Sequence, residues 1–109
     1  MPDRVDLLQG TLQMLVLKIL ELEPLHGHGL STRLEQISQG TFRVNPGSLF
    51  PALHKMEQVG WIRGEWSQTE NNRRAKFYRL TPSGRRQLAA ERRTWKQLTG
   101  AIDLVLRTS

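Results

Sequence analysis

Cysteine is absent from the 109 residues, which excludes disulfides, thiolate nucleophiles and cysteine-ligated zinc, and nothing implies an oxidising compartment. Long hydrophobic runs are missing as well. The longest mainly apolar stretch, Leu12 to Leu22, is interrupted by Lys18 and Glu21 and is too short to span a bilayer, and Met1-Pro2-Asp3-Arg4 lacks a secretory signal pattern. A soluble, untargeted, cytoplasmic protein is expected. Enzymatic machinery is equally hard to find: there is no Gly-rich phosphate loop, no nucleophile paired with a base and no carboxylate pair in an apolar setting. His26 and His28, two apart with Glu23 nearby, have weak metal-ligand spacing and no second ligand pair. No enzyme, cofactor or metal site is therefore expected. Repeats, low-complexity tracts and long linkers are lacking, and 109 residues suffice for one core but not two. A single core of this size has little stability to spare, so a partner subunit would help it.

Acids are scarce in one region. Sixteen Lys and Arg oppose ten Asp and Glu, giving +6 overall, and between Arg73 and Lys96 nine basic residues stand against Glu91 alone. Such an excess attracts nucleic acid, anionic membranes or acidic proteins. The cluster begins at a turn, runs through a strand and enters an amphipathic helix, which describes neither a lipid-surface helix nor a disordered basic tail.

Leu8, Leu12, Leu15, Ile19 and Leu22 alternate spacings of four and three, the mark of a helix over about Thr11 to Leu22. Its start is open between Asp6-Gln9, which resembles a capping box, and Gly10-Thr11. With Met14, Val16, Leu17 and Leu20 on its other faces, this is either a central core helix or one shared between core and subunit interface. A short helix over about Leu30 to Ile37 follows Glu23-Pro24. Asn45-Pro46 then starts a third, ending at Gly60. On that helix Leu49, Ala52, Leu53 and Met56 share one face, and Gly47, Pro51, His54, Lys55 and Gln58 the opposite one. Pro51 is expected to distort or delay the first turn. Trp61 to Trp66 and Ala75 to Leu80 read as a β-hairpin with a long, positive tip over Ser67 to Arg74. Thr81-Pro82 caps a last helix reaching about Leu106, along which Leu88, Trp95, Leu98, Ile102 and Val105 form a heptad-like seam.

Helix, helix, helix, hairpin, long helix is the plan of a winged helix-turn-helix: mainly α, with a small β-hairpin. In that plan the third helix enters the major groove and the wing brings Arg or Lys to the phosphates. Residues 1–81 would form the DNA-binding part and residues 82–109 the dimerisation helix of one compact unit. Candidate DNA contacts are Asn45, Ser48, Phe50, Pro51, His54 and Lys55 at the third helix, with Asn71, Asn72, Arg73, Arg74 and Lys76 on the wing. Lys55, a flexible point charge, suits phosphate better than a base edge. Arg85, Arg86, Arg92 and Arg93 read as a solvated helix face. Candidate dimer contacts are Leu15 and Ile19 of the first helix and Leu88, Trp95, Leu98, Ile102 and Val105 of the last. A protein-interaction module and a non-specific nucleic-acid binder are the alternatives from other classes, the latter lacking an exposed aromatic stacking platform.

Several blocks together resemble the PadR-type transcriptional regulators. They are Gly10-Thr11-Leu12, His26-Gly27-His28-Gly29-Leu30, Gly47-Ser48-Leu49-Phe50-Pro51-Ala52-Leu53, Glu57-Gln58-Val59-Gly60-Trp61-Ile62, and Arg73-Arg74-Ala75-Lys76-Phe77-Tyr78-Arg79-Leu80-Thr81-Pro82-Ser83-Gly84. The resemblance implies a homodimeric DNA-binding regulator, often a repressor, that binds a pseudo-palindromic operator, and the length matches the subgroup with one C-terminal dimerisation helix. It also implies that Trp95 and its symmetry mate could line an interface cavity for a planar aromatic effector. Two departures stand out: Phe50 replaces the usual tyrosine, removing its hydroxyl, and His26 and His28 stand where the family usually has other aromatics.

Overall fold

The leucine stripe winds into α1, Gln9–Leu22, which buries Leu12, Val16, Leu17, Ile19 and Leu20. The structure, a computed structural model, describes residues 5, 6 and 9–109, so Leu8 of the expected stripe lies outside the described residues. The helix starts two residues before Thr11. Asp6 does not begin the helix: with Val5 it forms β1 (Val5–Asp6), paired in parallel with β3 (Phe42–Arg43).

After Pro24 the chain makes a strand too short to show a sequence period, β2 (Leu25–His26), and then α2 (Gly27–Ile37). That helix begins three residues earlier than Leu30. The reason is His26, whose Nδ1 accepts the Gly29 N–H at 2.8 Å and so caps the helix as an Asn or Ser would. Helix α3 spans Pro46–Gln58, capped by Asn45, whose side-chain oxygen accepts the Gly47 N–H at 2.8 Å. Pro51 sits inside this helix and does not delay its start, which falls at Pro46. Its missing N–H would have served the carbonyl of Gly47, which lies on the exposed face where water can replace the donor. Gly60, at φ +84°, ends the helix in a Schellman turn: its N–H bonds the Glu57 carbonyl and that of Trp61 the Met56 carbonyl.

Strands β4 (Ile62–Gln68) and β5 (Arg74–Leu80) form the hairpin, and β2 adds to the far edge of β5, giving the order β2-β5-β4. The tip is shorter than Ser67 to Arg74. It spans residues 69–73, and Arg74 is a strand residue opposite Gln68. Helix α4, Pro82–Leu106, has Thr81 as its cap; the Thr81 hydroxyl accepts the Gly84 N–H and donates to the Gly60 carbonyl at 2.6 Å. Helix end and helix start are thus joined through one side chain. The core unites the buried face of α1 with Leu30 and Leu34 of α2, Val44, the inner face of α3, Ile62, Tyr78 and Leu88. Beyond Leu88, α4 leaves the core, and the molecule measures 57 × 37 × 22 Å.

Gly84 marks the closest approach of α4 to the body: a Cβ there would collide with the Trp61 carbonyl oxygen and Leu80 Cδ1. Because one of those obstacles is backbone, we expect Gly84→Ala to destabilise the protein by about 1–3 kcal/mol. A urea-denaturation midpoint equal to that of the parent would refute this.

Candidate nucleic-acid interface

The inner face of α3 is spent on the core, which leaves its other side to solvent: Ser48, Phe50, Pro51, His54 and Lys55 are all exposed. Asn45 is exposed too, its side-chain oxygen committed to the cap. Phe50 is half exposed (52 %), with its ring edge against Gly27, where a Cβ would overlap it. The absence of a side chain at Gly27 lets the start of α2 lie directly on the aromatic ring of α3.

Facing this side is the wing. A groove of about 680 Å³ separates it from α2 and α3, with Phe50, His26 and His28 on one wall and Trp66, Arg73, Arg74 and Lys76 on the other. Thr69 and Asn71 border it at the tip and Tyr78 at its base. Of the residues expected to contact DNA, the groove gathers Phe50, Asn71, Arg73, Arg74 and Lys76. Asn45, Ser48, Pro51, His54, Lys55 and Asn72 lie outside its walls. The sequence pattern did not reveal Trp66, Thr69 and Tyr78 as wall residues, and it marked His26 and His28 as weak metal-ligand candidates and as departures from the family's aromatics, not as part of a groove. The alternation of β4 held the signal for Trp66: Ile62, Gly64 and Trp66 point to one face, and only the first reaches the core.

Arg73 and Arg74 have no carboxylate within 4.0 Å among the described residues, and the Arg74 guanidinium lies 5.2 Å from the centre of the Trp66 ring. The tip is closed by the Thr69 N–H bonding the Arg73 carbonyl at 2.7 Å, with Asn72 in the left-handed region at φ 61°. Lys76 differs from its neighbours. Its ammonium is 2.8 Å from Glu57 Oε1, while Glu57 Oε2 accepts the Gly64 N–H at 3.2 Å. The expected free cation is therefore already paired, and what Lys76 does first is tie the wing to the end of α3. A side chain at Gly64 would overlap the Lys76 stem.

The residues expected at a dimer contact divide in the same way. Ile19 and Leu88 are buried in this chain's own core, and Leu15 packs partly against it. Trp95, Leu98, Ile102 and Val105 are 44 to 72 % exposed and carry the seam alone. Among the described residues no cluster of three His, Cys, Asp or Glu could hold a metal, and no helix is long and apolar enough to cross a membrane.

Three core helices, a hairpin with one added strand and a long terminal helix define a winged helix-turn-helix protein. The pattern of the transcriptional regulator PadR-like family matches residues 16–90, and the chain belongs to that family, whose members regulate transcription and are not enzymes. It is similar to a transcriptional regulator of Mycobacterium tuberculosis, 35 % identical over 77 residues, which cover 71 % of this chain and 68 % of that protein. A 37.1 kDa protein from a Streptomyces fradiae transposon is 37 % identical over 90 residues, 83 % of this chain, yet the chain spans only 24 % of that protein's length. A PadR family regulator from Eggerthella lenta superposes with a TM-score of 0.80 at 30 % identity, covering 93 % of this chain and 86 % of that one.

The Glu57 tether makes a prediction about acid. The Lys76 hydrogen bond first, then its charge and the Gly64 N–H, hold the Glu57 carboxyl below its ordinary value against partial desolvation. A depressed carboxyl stabilises the fold above its unfolded pKa of about 4.3, and the contribution is lost as pH falls through the lower folded value. Glu57→Gln should therefore flatten the acid limb of the stability curve between about pH 5 and pH 3. Urea midpoints of parent and variant that fall in parallel would show that the bridge contributes nothing.

Proposed function

We propose that this chain is a homodimeric transcriptional repressor that binds a pseudo-palindromic operator, with α3 in the major groove and the wing on the flanking backbone. The observation that carries the reading is the groove between α3 and the wing. Phe50 of the exposed α3 face and two arginines with no carboxylate partner among the described residues border one cleft, and a strand of duplex DNA separating a major from a minor groove would lie along it. Two copies would place their α3 helices in successive major grooves about one helical turn, roughly 34 Å, apart. Pairing through the exposed seam of α4 supports this, since Trp95, Leu98, Ile102 and Val105 stay wet in a single chain. On the same reading Trp95, the largest apolar side chain of the seam, is where a planar aromatic effector would lie between the copies. Repression would follow from steric occlusion of the promoter. Residues 1–81 would serve as the DNA-binding part and residues 82–109 as the dimerisation helix.

Fluorescence anisotropy on a labelled duplex from upstream of the chain's own gene, against a shuffled duplex at two salt concentrations, tests the reading. Tighter binding to the native duplex that persists at the higher salt, with two chains per site, is the expected outcome. Equal, salt-abolished binding to both would favour the non-specific polyanion binder, and no binding the protein-interaction module. We predict that Arg73→Ala and Arg74→Ala each lower the salt dependence of DNA affinity by about 0.9 in log–log slope for every phosphate that the arginine neutralises. Unchanged slopes would remove the wing from the interface.

A further inference from the structure

The α4 seam contains one position that is not apolar. Leu88, Glu91, Trp95, Leu98, Ile102 and Val105 follow one another at spacings of three, four, three, four and three, so Glu91 occupies a seam position of the heptad. Its Oε2 is covered and accepts no hydrogen bond from any described residue, while Gln87, one turn earlier, bonds the carboxylate. Helix α1 packs against this part of α4, and the charges it brings are occupied elsewhere. Lys18 and Glu21 bond each other at 2.9 Å, Arg85 lies 3.9 Å from Glu21, and Arg92 acts on the same carboxylate. A covered carboxylate oxygen without a donor is costly, and a carboxylate among apolar seam positions is more so.

We propose that a second copy of this chain completes the site: on pairing, the Glu91 side chain turns toward the seam, where a cationic side chain of the partner's α4 meets its carboxylate and fixes the register in which the two helices pair. The inference rests on the reading that α4 joins two copies. The stripe is self-complementary, as a two-fold contact requires, so the bridge would form twice. Besides Arg85 and Arg92, which act on Glu21, α4 carries Arg86, Arg93 and Lys96 as cations, against Glu91 and Asp103 as its acids. An all-apolar seam could slide by a heptad, whereas a single polar position admits one register.

The sign of the pH dependence separates this arrangement from a carboxylate merely buried at the contact. In the single chain desolvation pushes the Glu91 carboxyl above its ordinary value, the Gln87 bond opposing it. A partner cation would lower it again on association, so pairing would be tightest above the single-chain value and would weaken as pH falls. Without a cation, association would desolvate the carboxyl further and pairing would tighten on acidification.

The test is sedimentation equilibrium of the full chain, Glu91→Gln and Glu91→Leu from about pH 8 to about pH 4, a range that spans the ordinary carboxyl value of about 4.3. The dimer Kd of the parent should rise on acidification, by about tenfold per carboxylate for each pH unit by which association lowers its pKa, and the rise should be absent from both variants. The three proteins are identical at every other position, so what the other groups contribute cancels in the comparison. Parallel profiles in parent and variants, or a parent Kd that falls on acidification, would overturn the role of Glu91 while leaving the α4 dimer standing. A chain that stays monomeric at every concentration would overturn the pairing itself.

Discussion

A helix can be offered to a partner only if the fold is held by its other side. Leu49, Ala52, Leu53 and Met56 are all but sealed from water, and they lock α3 against α1 and α2. Each of the larger side chains contributes on the order of 1.5–3 kcal/mol by leaving water, so a change there threatens the fold. The outward residues of the same helix carry no such burden, and substitutions on an exposed face typically change stability by about 0.5 kcal/mol or less. This asymmetry lets a winged-helix scaffold vary what it reads without altering how it folds. Phe50 stands between the two groups, half exposed and with its ring edge packed on Gly27.

The wing is held to the same body at several places, among them the pairing of β2 with β5 and the burial of Ile62 and Tyr78 in the core. At its base Thr81 joins the end of α3 to the start of α4, and along its length Glu57 grips both Gly64 and Lys76. The tip has only its own turn to hold it. Arg73 and Arg74 therefore stand where only the hairpin supports them, a placement that would suit contact with a phosphate backbone on the proposed reading. The indole of Trp66 limits Arg74 to one side of that hairpin.

Helices and hairpin were legible because each depends on a period or a cap that local sequence contains. The stripe of α1, Asn45-Pro46, Gly60 and Thr81-Pro82 all kept their expected meanings. What escaped notice depends on contacts between distant segments. Strands β1, β2 and β3 have two residues each, too few to show alternation, and exist only because β5 or another short segment lies beside them. His26 is an unusual helix cap, so the local pattern starts α2 three residues late. Lys76 resembles its basic neighbours until the fold sets Glu57, nineteen residues away in sequence, against it. Ile19 and Leu88 fit the interface pattern equally well, and only packing shows that this chain's own core consumes them. The groove itself was invisible for the same reason, being made of three elements that meet only in the fold.

The terminal helix poses the remaining physical problem. Its 25 residues rise about 37 Å, yet only Gly84 and Leu88 are buried, both within its first two turns. The apolar stripe beyond cannot fold back, because a continuous helix has no hinge, and the body of the domain ends before the stripe does. Exposed Trp95, Leu98, Ile102 and Val105 thus call for a surface that the described residues do not supply. Apolar area alone would accept many such surfaces, including displaced copies of itself, because burial is non-directional. Direction has to come from a group that is costly when misplaced. On α4 the one seam position of that kind is Glu91, and it lies at the boundary between the part of the helix that belongs to the core and the part that is left uncovered.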